Sequence, residues 1–302
     1  MSDDGFKKSL ATPGRYPAPG IPQPLQGGWP NGKRLALYVA MNLEHFDFDS
    51  QEGAKLAPPN RLDVLNYAWR DYGNRVGGWY LADLFEQLGI PPALLCNTAV
   101  LDDYPQLVER WLACEGAELV GHGHTNSERQ GELAPAAEAE MIRYCRERLI
   151  RFSGQAVTGW LSPWISESPD TPELLAKNGF TYTLNWAHDD VPTPFYTRHG
   201  DLISVPYPQE VNDIPTIVPN RADITTFCTM IEAQFEELLE RSEAGLQVMG
   251  IALHPYIVGQ PFRFYHLKKT LARLMEHRDD VWLTTPGQIA ASGVITKPFP
   301  TD

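Results

Sequence analysis

No Lys/Arg run appears anywhere in this chain of 302 residues, and its formal net charge is −13. A nucleic-acid-binding surface needs a basic patch, so nucleic acid is excluded as a partner. No six acidic or basic residues stand in a row, so there is no charged tail either. No apolar run reaches the length of a membrane span. The opening Met1-Ser-Asp-Asp-Gly-Phe-Lys-Lys8 starts acidic and lacks the apolar core of a secretory signal. The four cysteines, Cys96, Cys114, Cys145 and Cys228, are far apart and form no C-x-x-C pair, which reads as reduced core cysteines in a cytoplasmic protein. A G-x-S-x-G elbow is missing, and Gly159-Trp-Leu-Ser162 does not substitute for it, so serine nucleophile chemistry is not expected. Neither G-x-G-x-x-G nor a Walker loop follows a strand-like segment, so no nucleotide cofactor is indicated.

What remains is an ordinary globular composition, 43% hydrophobic and 21% charged, on a chain long enough for one large α/β core or two smaller ones. Residues 1–32 carry Pro13, Pro17, Pro19, Pro22, Pro24 and Pro30 among several glycines and read as an irregular arm. Residues 33–302 read as a single domain in which strands and helices alternate. Strands are expected at Lys33–Met41, Ala93–Asn97, Glu118–Gly121, Thr158–Leu161, Thr181–Asn185, Asp201–Pro206, Gln247–Leu253 and Val281–Thr284. Between them, helices are expected at Asn74–Leu88, Gln106–Glu115, Pro135–Phe152, Pro172–Asn178, Asp223–Glu243 and Tyr265–Glu276, with a long polar loop over residues 43–66. Pro135 suits a first helical turn, Gly154 a helix end and Asp223 an N-cap. Repeated βα alternation over some 260 residues argues for a parallel sheet or barrel of the α/β class.

Polar clusters fall directly after successive strands. They are Asn42-Leu-Glu44, His122-Gly-His-Thr-Asn126, Ser162-Pro-Trp164, Asn185–Asp190 and His254. In a barrel the strand C-termini open on one face, so these distant segments would converge there, held by a rigid sheet. That convergence is the case for an enzyme.

The order of these clusters resembles the polysaccharide deacetylase superfamily, the NodB-homology hydrolases, and within it the bacterial allantoinase-like branch. Tyr72-Gly-Asn-Arg-Val-Gly-Gly-Trp79, Glu118-Leu-Val-Gly-His-Gly123, Val205-Pro-Tyr-Pro-Gln-Glu-Val-Asn-Asp213 and Leu253-His-Pro-Tyr-Ile-Val-Gly-Gln-Pro261 carry the likeness, which spans roughly residues 17–290. It implies a distorted (β/α) barrel of about seven strands and hydrolysis of a carbon–nitrogen bond that is not a peptide bond. Metal-dependent members hold their ion with a carboxylate from the first motif and two histidines four residues apart in the second. Glu44 falls on the carboxylate position and His122 on the first histidine. The second histidine position is Asn126, and the position of the aspartate base is Asn42. An asparagine cannot take up a proton as a carboxylate does, and Zn²⁺ prefers His, Cys and carboxylate. The resemblance therefore leaves two options open: Zn or another divalent metal on Glu44, His122 and Asn126, or the cofactor-independent chemistry of some branch members.

Glu44, His122 and His254 are the expected catalytic residues: Glu44 and His122 activate water, and His254 donates a proton to the leaving nitrogen, a task that a near-neutral imidazole suits. Asn42, Arg75, His124, Asn126, Trp164, Asp189 and Asp190 are the expected substrate contacts. Arg75 is read as a clamp for a carboxylate, ureido or imide oxygen, or else as half of a structural ion pair. His124 is placed beside His122 by the alternation of an extended segment. Trp160, Trp164 and Trp186 either wall a small planar pocket or fill the barrel core. Asp189, Asp190, Asn212 and Asp213 either orient a histidine or form polar turns. The expected substrate is a small amide, ureide or cyclic imide. The alternatives are a sugar N-deacetylase and a non-catalytic binding protein on a degenerate barrel. Assembly into a homo-oligomer is consistent with the Pro-rich arm and tail.

Overall fold

The structure is a computed structural model and describes residues 14–16, 24–48 and 50–295. Most of the expected arm and the Pro-rich tail at 296–302 lie outside the described residues.

Nine strands form one sheet. They are β1 (Leu35–Leu43), β2 (Pro92–Cys96), β3 (Glu118–Gly121), β4 (Gly159–Trp160), β5 (Tyr182–Thr183), β6 (Thr193–Phe195), β7 (Leu202–Ser204), β8 (Gln247–Leu253) and β9 (Val281–Leu283). The helices include α1 (Val64–Tyr72), α2 (Gly78–Leu88), α3 (Pro105–Leu112), α4 (Pro135–Ser153), α5 (Thr171–Lys177), α6 (Asp213–Ile217), α7 (Ile224–Arg241), α8 (Pro261–Leu274) and α9 (Pro286–Ala291). The strand order is β6-β7-β5-β4-β3-β2-β1-β8. All neighbours run parallel except β6 and β7. The start of β1 also pairs with β9, and the rest of that edge pairs with β2.

The sheet curls until β8 meets the far side of the chain. Val248 N–H donates to the Asp190 carbonyl and Ala252 N–H to the Val211 carbonyl, at 2.9 and 3.1 Å. Irregular segments, rather than a paired strand, thus close the barrel, and this is the distortion the motifs led us to expect.

Alternation along the strands splits the core in two. Leu35, Leu37, Val39, Met41 and Leu43 of β1 pack outward under the helices, with Leu94, Leu119, Ile251 and Leu253. Ala36, Tyr38 and Ala40 turn inward and meet Leu95, Val120, Tyr182, Val248 and Ala252 inside the barrel. Small and large residues alternate across this interior, as a small barrel requires.

The helix ends follow their residues. Pro135 opens α4, Gly154 closes it at φ 70°, and the Asp223 side chain accepts the Thr226 N–H at the start of α7. Three departures stand out. Residues 64–66, expected in a loop, begin α1, because the Asp63 carboxylate caps it by accepting the Asn66 N–H. β6 and α6 were not expected; each is at most five residues long, too short for a periodic signal. No helix among the described residues is long and apolar enough to cross a membrane.

Candidate active site

The inward rows of three strands continue past the strand ends. In β1 the row Ala36, Tyr38, Ala40 runs on to Asn42 and Glu44. From β3 it passes from Val120 to His122, and from β8 it passes from Val248 and Ala252 to His254. A period of two therefore delivers Glu44, His122 and His254 to the same mouth of the barrel. All three are buried.

Glu44 stands at the centre. Its Oε1 lies 3.5 Å from His254 Nε2 and 3.6 Å from His122 Nε2. The same oxygen accepts from Asn126 Nδ2 at 2.5 Å, and Oε2 accepts from the Tyr256 hydroxyl at 3.2 Å. On the far side of His254, Nδ1 is 2.6 Å from Asp213 Oδ1, and Asp213 Oδ2 accepts the His254 backbone N–H.

Burial alone drives the Glu44 pKa up. The His254 charge is the largest influence that outweighs it, and it holds the carboxyl at about 2. Burial likewise works against a charged His254. Asp213 and Glu44 on either side outweigh it and lift its pKa to about 10. His254 is thus an imidazolium between two carboxylates at neutral pH.

His122 differs. Its Nδ1 faces the Leu161 carbonyl at 2.8 Å, so that nitrogen carries a proton. In the neutral ring Nε2 is then a bare lone pair. It is buried without a hydrogen-bond partner and turned toward Glu44.

The backbone behind the cluster is built by close approach. Between α1 and α2 the chain makes a π-helical turn, Gly73–Gly77, a local widening common at functional sites. A Cβ on Gly73 would come within 2.6 Å of the Tyr256 backbone nitrogen, and one on Gly77 would strike the Pro255 carbonyl. These two glycines let the turn lie against the segment that carries His254 and Tyr256. Asn74, in the same turn, donates from Nδ2 to the Glu44 carbonyl at 2.8 Å.

No family model matches the chain. A protein of Schizosaccharomyces pombe bearing the polysaccharide deacetylase name is 25% identical over 307 residues, 90% of this chain and 93% of its own length. The peptidoglycan deacetylase of Helicobacter pylori is 28% identical over 143 residues, 47% of this chain and 48% of its own. The crystal structure of a polysaccharide deacetylase from Pseudomonas aeruginosa PAO1 superposes with a TM-score of 0.78 at 23% identity, covering 87% of this chain and 92% of that one. PuuE allantoinase superposes equally well, with a TM-score of 0.78 at 22% identity over 92% of this chain and 96% of its own. The chain has the polysaccharide deacetylase fold. The resemblance read from the motifs and these likenesses name the same superfamily.

On this deacetylase fold the donor set does not suit a resident metal ion. The His45 backbone N–H donates to Asn97 Oδ1, which fixes the Asn97 amide. Asn97 Nδ2 then donates to Asn126 Oδ1, so Asn126 must turn its own Nδ2 toward Glu44. A flipped Asn126 would oppose oxygen to oxygen and N–H to N–H. An N–H donor thus stands beside the carboxylate where a cation would have to bind. His254, already protonated, adds a positive charge. Among the described residues no set of three or more His, Cys, Asp or Glu is grouped to hold a metal.

Of the other expected contacts, the structure brings some to the mouth. Asn42 is buried beneath Glu44 and donates to the Leu253 carbonyl at 3.2 Å and the Tyr207 hydroxyl at 3.3 Å. Trp164 sits at the rim, where its Nε1 donates to the Asn126 carbonyl at 3.0 Å and the Arg129 guanidinium stacks on its ring at 4.5 Å. Trp164 and Ile165 both adopt positive φ, 63° and 53°, a strain of roughly 1–3 kcal/mol each that this packing holds in place.

Others are not brought there. Gly123 at φ 68° breaks the alternation after His122, so His124 turns away toward Thr98 and Tyr144. Arg75 has a side chain 66% exposed and lies 3.9 Å from Asp71, the ion-pair reading. Asp189 accepts from the Asp190 and Val191 N–H groups in a polar turn. The Asp190 carbonyl pairs with Val248 near the start of β8, about 20 Å down the strand from His254 at the usual rise per residue. Trp160 packs in the outer core, and Trp186 donates to Glu167.

Sequence reasoning missed Asn97 and Tyr256. Asn97 follows β2 directly, so the rule that gathered the other strand ends would have found it. Tyr256 lies within the His254 motif, where nothing in the spacing shows that its hydroxyl reaches Glu44. Of the two readings of Asp213, the histidine-orienting one holds: it is the partner of His254.

Proposed function

We propose that this chain is a hydrolase of carbon–nitrogen bonds other than peptide bonds, acting on a small amide, ureide or cyclic imide, with Glu44, His122 and His254 as its catalytic groups. The observation that carries this reading is the buried Asp213–His254–Glu44 line beside His122, whose buried Nε2 has no hydrogen-bond partner among the described residues. A binding protein has no use for a buried imidazolium flanked by two carboxylates. Such charges are costly to bury and persist where chemistry needs them.

The roles follow from protonation. In its neutral form His122, with its proton on Nδ1, offers Nε2 as an acceptor beside the ionised Glu44, and together they orient a water and take its proton. The water attacks the carbonyl carbon. The charged His254, placed opposite, stabilises the developing oxyanion and then gives its Nε2 proton to the departing nitrogen. Asp213 keeps the other ring nitrogen protonated and the ring in place. Asn126 holds Glu44 through Oε1 and Tyr256 through Oε2. No metal step is needed. The likeness in fold to PuuE allantoinase fits a small ureide substrate.

The test is turnover of allantoin, hydantoin, succinimide and N-acetylglucosamine oligomers by chelator-treated protein. Hydrolysis of one of the first three supports the reading. Hydrolysis of the oligomers alone would make this a sugar N-deacetylase.

A further inference from the structure

Arg70, on α1, is only 2% exposed and has no carboxylate within ion-pairing distance among the described residues. Its Nη1 donates to the Glu52 and Ala54 carbonyls, and its guanidinium lies 4.5 Å above the Phe46 ring. Its Nε and Nη2 have no hydrogen-bond partner among the described residues. Those two nitrogens form one straight edge of the guanidinium, the edge whose parallel N–H groups match two oxygens of a single group. A buried donor left unpaired is destabilising, and more so when it is charged.

Arg70 also lines a narrow cleft beside the catalytic carboxylate, with Glu44, Phe46, Tyr67, Asp71 and Tyr104 among its walls. It is the sole Lys or Arg lining this cleft. The acids there have partners of their own. Glu44 accepts from Asn126 and Tyr256, Asp71 accepts from the Tyr104 hydroxyl, and Asp103 lies 3.5 Å from His45.

The geometry points to Arg70 as the docking site for a carboxylate on the substrate, which narrows the substrate class to small acids that also carry the amide or ureido group. This inference rests on the hydrolytic reading of the same cleft. A carbonyl oxygen would satisfy one N–H of the edge; a carboxylate satisfies both and neutralises the charge. The two nitrogens are shielded, so binding requires Tyr67 or the 50–57 segment that covers Arg70 to give way.

The experiment compares N-carbamoylglycine with N-carbamoylglycinamide, which differ only in the carboxylate, in the wild type, Arg70→Gln and Arg70→Lys. Calorimetry with succinate gives a binding readout without turnover, and a thermal melt confirms that each variant is folded. The wild type is expected to prefer the acid at least tenfold in kcat/KM and to bind succinate. Arg70→Gln should bring the acid-to-amide ratio near one, mainly through KM for the acid, and abolish succinate binding. Arg70→Lys keeps the charge but not the paired edge and should recover only part of the preference; it decides the matter if Arg70→Gln does not fold. Equal loss on both ureides, or no succinate binding by the wild type, overturns the inference. If neither ureide is hydrolysed while succinate binds the wild type and not the variant, the anion site stands and the hydrolytic reading fails for ureides.

Discussion

Asp213 Oδ1 lies 2.6 Å from His254 Nδ1, and its second oxygen accepts the backbone N–H of the same histidine at 2.8 Å. One carboxylate therefore fixes both the ring and the main chain of His254. Asn212 makes this possible by pairing with Ala252 of β8 and capping α6 through the Ile214 N–H. Asp213→Asn removes the charge but keeps the shape. We expect kcat to fall about a hundredfold, on the usual scale for acid–base groups. The alkaline limb of the pH–rate profile should move down as the His254 pKa falls from about 10 toward its ordinary value. An unchanged profile would show that Asp213 is only structural.

Removing the carboxylate at the centre should be at least as damaging. Glu44→Gln leaves His254 and Asn126 facing an amide in place of a charge. Turnover is expected to drop at least a hundredfold, and steady-state kinetics on any accepted substrate measures it.

Stability should peak at intermediate pH. The Glu44 pKa is depressed to about 2 from its ordinary value of 4.5, so its contribution is complete above about pH 4.5 and is lost as pH falls toward 2. The His254 pKa is raised to about 10 from 6.5, so its contribution is complete below about pH 6.5 and is lost as pH rises through 10. Thermal melts across pH should therefore fall off on both sides. In His254→Gln the alkaline fall should flatten and the acid fall should shrink with it, because the His254 charge is the largest influence that holds Glu44 low.

Metal should be dispensable. Dialysis against a chelator is expected to leave activity unchanged, because Asn126 presents an N–H rather than a lone pair to Glu44. Asn126→His restores the spacing of two histidines four residues apart, and elemental mass spectrometry should then find about one Zn²⁺ per chain after incubation. Loss of wild-type activity on chelation would contradict the account.

Gly73→Ala tests the scaffold. The new methyl group would come 2.6 Å from the Tyr256 backbone nitrogen. Overpacking of this kind costs about 1–3 kcal/mol, seen as a lower Tm, and shifts the Tyr256 contact with Glu44.

Long strands and helices were legible because each repeats a pattern several times. β1 alternates over nine residues and α4 runs nineteen from proline to glycine. Glu44, His122 and His254 were legible for the same reason, since each extends an inward row of a strand. Contacts set by chain reversal were not. Gly123 redirects His124, and the closing bond from Val248 carries Asp190 to the far end of the barrel. Nor can a sequence show which of two nearby arginines is buried: Arg75 faces solvent, and Arg70 lies in the cleft.

The most direct test of the central claim is hydrolysis of allantoin, succinimide and N-carbamoylglycine by metal-free wild type, Glu44→Gln and His254→Gln, each first shown to be folded. The account predicts turnover of at least one compound by the wild type and a hundredfold or greater loss in both variants. Turnover that survives either substitution, or wild-type protein that hydrolyses none of the three, would contradict it.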